Sequence, residues 1–378
     1  MEIANSKKYV VFLLMMLTIL GCKQIRKVTD IIVQPSAREL YAREFQDSDT
    51  LGLIAWKDEF QKAKNDSLTI ILPYVEIGSY FKNRNVVYSY QAELEEGSML
   101  KVSAENEVLG MRSFLDVLKR NTDSTYMIVK DNGVGENQIE FLIEESGVYT
   151  ILIQPEIGST GNFKHQIVTS PSFAFPVAGK DNTAIQSYWG AVRDGGSRSH
   201  EGVDIFAQRG TPVIAVTEGR VSSTGNKGLG GKQVWLRTGV FGKSLYYAHL
   251  DSVLTRTGTK VSVGDTLGLV GNTGNARTTQ PHLHFGIYES GTGAINPLPF
   301  IKRTEIPKVQ FFDTIAPIIE VSATVANLRK APTIKSNIIG EASKNDTLVI
   351  LGISDQWAHV KTRNGIKAFI HSSLISTP

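Results

Sequence analysis

Two hydrophobic periods divide the chain. Residues 23–67 are polar and mixed, and Ala37 to Phe45 and Ile54 to Ala63 read as short helices that end at the turn-prone Asn65-Asp66-Ser67. Beyond that the period shortens to two. Leu68–Val75, Val86–Leu94, Met99–Ala104, Ser124–Lys130, Gln138–Glu144, Val148–Gln154 and Phe163–Thr169 are short runs rich in β-branched and aromatic residues. Turn clusters such as Asp131-Asn132-Gly133 separate them, which predicts a β-sandwich over residues 68–170 with one helical interruption at Ser113–Lys119. His165 alternates with apolar neighbours there and reads as structural. From about Phe173 glycine becomes denser, and strands with tight turns predict a second β unit over 171–300. Residues 301–319 read as a linker, and residues 320–378 as a small separate unit of short strands: Val325–Leu328, Thr347–Ile353, Ala358–Thr362 and Ile366–Ile370. The fold class expected is mainly all-β: a sandwich-like domain with short helices, a sheet domain and a small barrel.

The first residues follow a different pattern. Lys7 and Lys8 precede an apolar run from Tyr9 to Leu20, which closes with Ile19-Leu20-Gly21-Cys22. A spanning helix needs about 20 apolar residues, so this shorter run fits a secretory signal better than a permanent anchor. Its end resembles the bacterial lipoprotein signal. That resemblance implies removal of residues 1–21, lipidation of Cys22, and an exported protein held on a membrane through its acyl chains, with residues 22–67 as tether and helices.

Composition narrows the chemistry. Lys+Arg is 40 against 37 Asp+Glu, and no block of like charge argues for nucleic acid. Cys22 is the single cysteine, which excludes an intramolecular disulfide and any thiolate zinc cluster. A metal in this chain needs histidines and carboxylates.

Four of the seven histidines lie between 200 and 284, in His200-Glu201-Gly202-Val203-Asp204, Tyr246-Tyr247-Ala248-His249-Leu250 and Pro281-His282-Leu283-His284-Phe285. The last piece alternates and continues into Gly286-Ile287-Tyr288, so it is a strand whose His282 and His284 share a face, about 7 Å apart. In the first piece Gly202 argues against a helix. His200 then sits on an incoming loop and Asp204 inside a strand, and a bend between them can bring both onto one ion. Three protein ligands with an open fourth position are the pattern of a catalytic zinc. Each fragment alone is weak; the joint order and spacing are specific.

With their flanks, these pieces resemble the LytM/lysostaphin-like zinc metallopeptidases, hydrolases of peptidoglycan cross-links. The resemblance covers residues 174–298 and runs through Tyr188-Trp189-Gly190, Arg193, Gly210-Thr211-Pro212-Val213, Ala215, Glu218-Gly219-Arg220-Val221, Val263-Gly264-Asp265, Gly271-Asn272-Thr273-Gly274 and Asn296-Pro297. It implies a LytM-type β-sheet groove, Zn2+ on His200, Asp204 and His284, and a catalytic pair in His249 and His282. Gly286, Gln280 and the segment 237–243 depart from the family pattern and bear on substrate fit, whereas no ligand or catalytic position is lost. The activity implied is hydrolysis of peptide cross-links or stem peptides in peptidoglycan. The alternative is a non-catalytic lipoprotein of the same fold that activates or recruits another wall hydrolase.

Residues 320–378 resemble bacterial SH3-like domains through Val325-Ala326-Asn327-Leu328-Arg329, Ala331-Pro332, Trp357-Ala358-His359-Val360 and Gly365 to Ile370. Two readings stand: a module that concentrates the protein on its polymer, or a structural barrel packed on the catalytic domain. Trp357 is expected in the barrel core, His359 at its rim and His371 on the surface.

Overall fold

The computed structural model describes residues 35–45, 50–239, 242–307, 309 and 316–376; Cys22 and the signal-like run lie outside them. No helix among the described residues is long and apolar enough to cross a membrane.

The helix Ala37–Glu44 starts at a reciprocal cap, in which Ser36 and Glu39 satisfy each other's backbone N–H. With the helix Thr50–Ala63 it covers a five-stranded sheet ordered Leu68–Thr69, Tyr88–Leu94, Gly147–Pro155, Ser113–Arg120 and Tyr126–Asp131. The helical interruption expected at Ser113–Lys119 is thus a strand. Phe114 and Leu118 face the helix side, with Trp56 and Phe60, while Leu115 and Val117 enter the sandwich core. A strand buried on both faces loses the alternation that would have marked it. His165 is structural as expected: fully buried, it stacks on Phe163 and lies 2.7 Å from the Tyr80 hydroxyl.

The C-terminal unit is not separate. Its strands Ile338–Ser343, Val325–Arg329, Lys367–His371, Trp357–Lys361 and Thr347–Ser354 run in that order into Tyr74–Tyr80 of the sandwich, then Gly161–Pro171, Ser98–Asn106 and Gln138–Leu142. The join is antiparallel at Ile77↔Ile353. Leu351, Trp357 and Phe369 belong to the sandwich core. Close approach requires glycine at the join, since a Cβ on Gly78 would stand 2.7 Å from the Leu351 carbonyl.

His359 is accordingly not at a rim. It is fully buried, with its Nδ1 3.1 Å from the equally buried Glu76 carboxylate. Tyr90 donates its hydroxyl to the same carboxylate at 2.9 Å, and Tyr74 donates a further bond. Burial opposes the Glu76 charge, but His359 and Tyr74 hold the carboxyl below its ordinary 4.5.

The middle unit is an eight-stranded sheet ordered Ile185–Ser187, Val203–Phe206, His282–Glu289, Ser244–Ala248, Gly231–Arg237, Gly219–Lys227 and Lys260–Val261, with Gly293–Ile295 paired to His282–Glu289. One face buries Val203, Ile205, Tyr247, Leu283, Phe285 and Ile287; alternation turns the residues between them to the other face. The sheet docks on the sandwich where Phe300 packs against Gly97 and Lys243 bridges Glu96 and Glu289.

His359→Leu leaves the buried Glu76 carboxylate without its imidazole partner. It is expected to destabilise the chain by about 3–5 kcal/mol, and replacing both residues with leucine should recover much of that. Because the folded carboxyl titrates below its unfolded value, its stabilisation is present above pH 4.5 and is lost as pH falls through the lowered value. Denaturation of the full chain at pH 7 and at falling pH measures both; a His359→Leu chain as stable as the parent would contradict the assignment.

Candidate metal centre

Sheet register assembles the centre. Ser187 pairs with Asp204, Asp204 with His284, and His284 with Ala248, so these side chains form one row on the open face. His200 follows the short strand Arg198–Ser199 and folds back over the row. The expected bend is present. His200 Nε2 lies 3.0 Å from Asp204 Oδ1 and 3.0 Å from His284 Nδ1, and that Nδ1 lies 3.0 Å from the same carboxylate oxygen.

Proton bookkeeping argues for a cation here. His200 Nδ1 lies 2.9 Å from the Tyr188 carbonyl, which only accepts, so Nδ1 carries the proton and Nε2 presents a lone pair. That lone pair faces a carboxylate oxygen and a second imidazole nitrogen. The donor set of two imidazoles and one carboxylate suits zinc, and its three atoms lie within 4.8 Å of one another. Asp204 is mostly buried, and a buried carboxylate facing lone pairs is costly unless a cation offsets it.

Two further residues, given no part in the metal centre by the sequence reading, support it. Arg193 Nη2 reaches Asp204 Oδ2 at 2.6 Å and Ser187 Oγ at 2.6 Å, fixing the carboxylate from behind. A Cβ on Gly202 would stand 2.6 Å from His284 Cε1 and 2.8 Å from Nε2, so only glycine leaves that ring its place. Gly202 could have been suspected from its position between His200 and Asp204. Arg193 was a position of the family resemblance, but its role toward Asp204 was not readable, because that partner is fixed by the fold.

His249 and His282 stand beside the donor group, with ring centroids 5.0 Å apart, and His249 lies 5.9 Å from His284. His249 Nδ1 lies 2.9 Å from the Thr273 carbonyl and His282 Nδ1 2.8 Å from the Gln280 carbonyl. Each ring therefore carries its proton on Nδ1 and keeps Nε2 free. His249 adopts a left-handed φ of 63°, a conformation that costs energy and is held here by the His249 N–H bond to Gly230. Burial, then His282 and His284, push its imidazole down to about 4, so it is neutral at pH 7. The sequence-selected residues thus converge on one open groove of about 1370 Å3. Phe206, Trp235, Tyr246 and Tyr288 line its walls.

Comparison with known proteins agrees with this geometry. Residues 198–297 match the model of Peptidase family M23, and residues 324–376 match that of a bacterial SH3 domain. The chain is 34% identical over 143 residues to the L-Ala--D-Glu endopeptidase of Bacillus subtilis, covering 35% of this chain and 44% of that protein. It is 40% identical over 208 residues to an uncharacterized metalloprotease of Haemophilus influenzae, covering 52% and 42%. Identity to the peptidoglycan DD-endopeptidase ShyC of Vibrio cholerae is 29% over 192 residues, covering 48% and 41%. The chain therefore spans less than half the length of these relatives. The crystallised catalytic domain of lysostaphin from Staphylococcus simulans is 33% identical, covering 30% of this chain and 89% of that one, with a TM-score of 0.28. Residues 198–297 thus match the M23 peptidase model with the His200, Asp204 and His284 group intact, and residues 324–376 match the bacterial SH3 model.

Gly202→Ala is expected to displace the His284 ring and weaken zinc binding by about 10–100-fold, the range typical of lost support around a metal. Zinc titration against a competing chelator measures this; unchanged affinity would refute the packing argument.

Proposed function

We propose that this chain is a zinc endopeptidase of the cell envelope that hydrolyses peptide bonds in the stem peptides or cross-links of peptidoglycan. The observation that carries the reading is the convergence of His200, Asp204 and His284 with His249 and His282 in one open groove. The Bacillus L-Ala--D-Glu endopeptidase and the Vibrio peptidoglycan DD-endopeptidase among its relatives support peptidoglycan as the polymer. The complete donor set counts against a non-catalytic activator.

Zinc held by His200 Nε2, Asp204 Oδ1 and His284 Nδ1 would supply a Lewis acid and lower the pKa of water in the fourth position to about 7. Arg193 and the Tyr188 carbonyl hold the ligands in orientation. His249, neutral at pH 7, can accept the proton of the attacking water at Nε2. As the C–N bond breaks, the departing nitrogen takes a proton, and the free Nε2 atoms of His249 and His282 are placed to relay it. The same pair faces the oxygen on which charge develops.

A protein acting on the wall is exported, and the basic residues before the apolar run fit that route. Lipidation of Cys22 would then hold the chain on a membrane. The SH3 domain, joined to the sandwich, would present the peptidase at a fixed orientation to the polymer.

Digestion of purified sacculi by the zinc-loaded protein, with mass spectrometry of the products, tests the activity and identifies the bond. His284→Ala is expected to lose both zinc and hydrolysis. His249→Ala should keep zinc and lose about 10²–10⁴-fold in rate. Undiminished hydrolysis by His284→Ala would sink the assignment.

A further inference from the structure

Beside the row of donor residues the sheet carries a second row with a different composition. Trp235 pairs with Tyr246, and Tyr246 with Gly286. Gly202 and Gly286 lie one step beyond the Val203↔Phe285 pair. Neither glycine fills the open face, and neither can be enlarged freely. A Cβ on Gly286 would stand 3.0 Å from the Glu201 carbonyl and 3.1 Å from the Tyr288 ring. The result is a recess next to His284. Tyr246 lies edge-on to His284 at 5.8 Å, Trp235 stacks on Tyr246 at 4.4 Å, and Tyr288 stands 5.2 Å from Trp235.

Glu201 closes the rim. Tyr288 donates its hydroxyl toward the Glu201 carboxylate at 3.4 Å, which keeps the acid on the groove side. Burial and Glu201 push the Tyr288 phenol up to about 12, so it remains a neutral donor at pH 7. Among the residues lining the groove, Glu201 and Asp204 are the two carboxylates, and Asp204 is committed to the donor group. A negative charge set beside aromatic rings favours a cation, because the rings add their quadrupole to the ion pair. Two residues along a strand cover about 7 Å, roughly the spacing from one peptide residue to the second beyond it. The recess therefore sits where a residue close to the reacting bond would place its side chain.

We propose that this recess is a subsite for a protonated primary amine on a substrate residue flanking the cleaved bond, with Glu201 as its counter-charge and Tyr246 and Tyr288 as its walls. The proposal rests on the hydrolase reading for its substrate, and it refines that reading to peptides bearing a free amine near the scissile bond.

The test uses disaccharide-peptides released from purified sacculi by a muramidase, divided into an untreated pool and a pool whose amines have been acetylated. Calorimetric titration of the zinc-loaded full chain should give about 5–10-fold tighter binding of the untreated pool, the size expected of a partly exposed ion pair backed by aromatic rings. Glu201→Gln should bind both pools at the weaker affinity while holding as much zinc as the parent. Equal binding of the two pools by the parent, no binding of either, or an equal loss for both in Glu201→Gln would overturn the subsite. Chromatography of the same mixtures separates the two ideas. Discrimination in binding without cleavage upholds the subsite and removes the hydrolase reading, whereas cleavage of both pools without discrimination does the reverse.

Discussion

Three ligand atoms crowded onto one point are the constraint on which the site depends. His200 Nε2, His284 Nδ1 and Asp204 Oδ1 stand 3.0 Å apart, and the Tyr188 carbonyl commits the His200 proton to the far side of the ring. Such an arrangement is repulsive until a cation or proton enters it, so the surrounding structure has to hold it open. The sheet does so by register, which gives Asp204 and His284 no freedom to separate. Arg193 restrains the second carboxylate oxygen, and Gly202 leaves space for the His284 ring. The strained backbone of His249 belongs to the same pattern, since its ring nitrogen is tied to Thr273 across the turn.

The second constraint lies far from this site. Glu76 and His359 are both fully buried, and their pairing spans the join between the sandwich and the SH3 domain. A buried charge tolerates little displacement from its partner, because moving either one exposes the other to an apolar interior. Lys367 adds to the join by donating to the Val87 carbonyl at 3.1 Å, and Tyr88 by donating to Leu351 at 3.0 Å. An SH3 domain fixed in this way does not act as a module on a flexible arm. Any wall contact it makes is made at a set orientation to the sandwich, so effective-concentration arguments built on linker length do not apply to it.

What the sequence allowed follows from range. The alternation around His282 and His284, and the short separation of His200 from Asp204, are local, and both were legible before any fold was known. The short helix after Ser36 and the strands of the sandwich were legible for the same reason. Ser113–Arg120 was not, because packing on two sides erased its period. His359 was misplaced at a rim because its burial comes from Glu76, a residue distant in sequence that no local pattern connects to it. Arg193 entered only as a position of the family pattern, with no role, because an arginine on a short hairpin looks the same whether it points to solvent or to a carboxylate.

The sandwich also reaches the strands of the middle sheet. The strand Ser244–Ala248 runs directly into His249, and His282–Glu289 carries His282 and His284 at its start. The opposite ends of both strands lie at the sandwich, where Lys243 bridges Glu96 and Glu289 and Phe300 fills the space above Gly97. Each strand is therefore held at one end by the donor group and at the other by the neighbouring domain. Packed sheets resist shear better than loops do, and a reaction that needs atoms placed to within a fraction of an ångström benefits from being built on such elements. The sandwich then has a physical role that requires no ligand of its own: it braces the strands that carry the histidines.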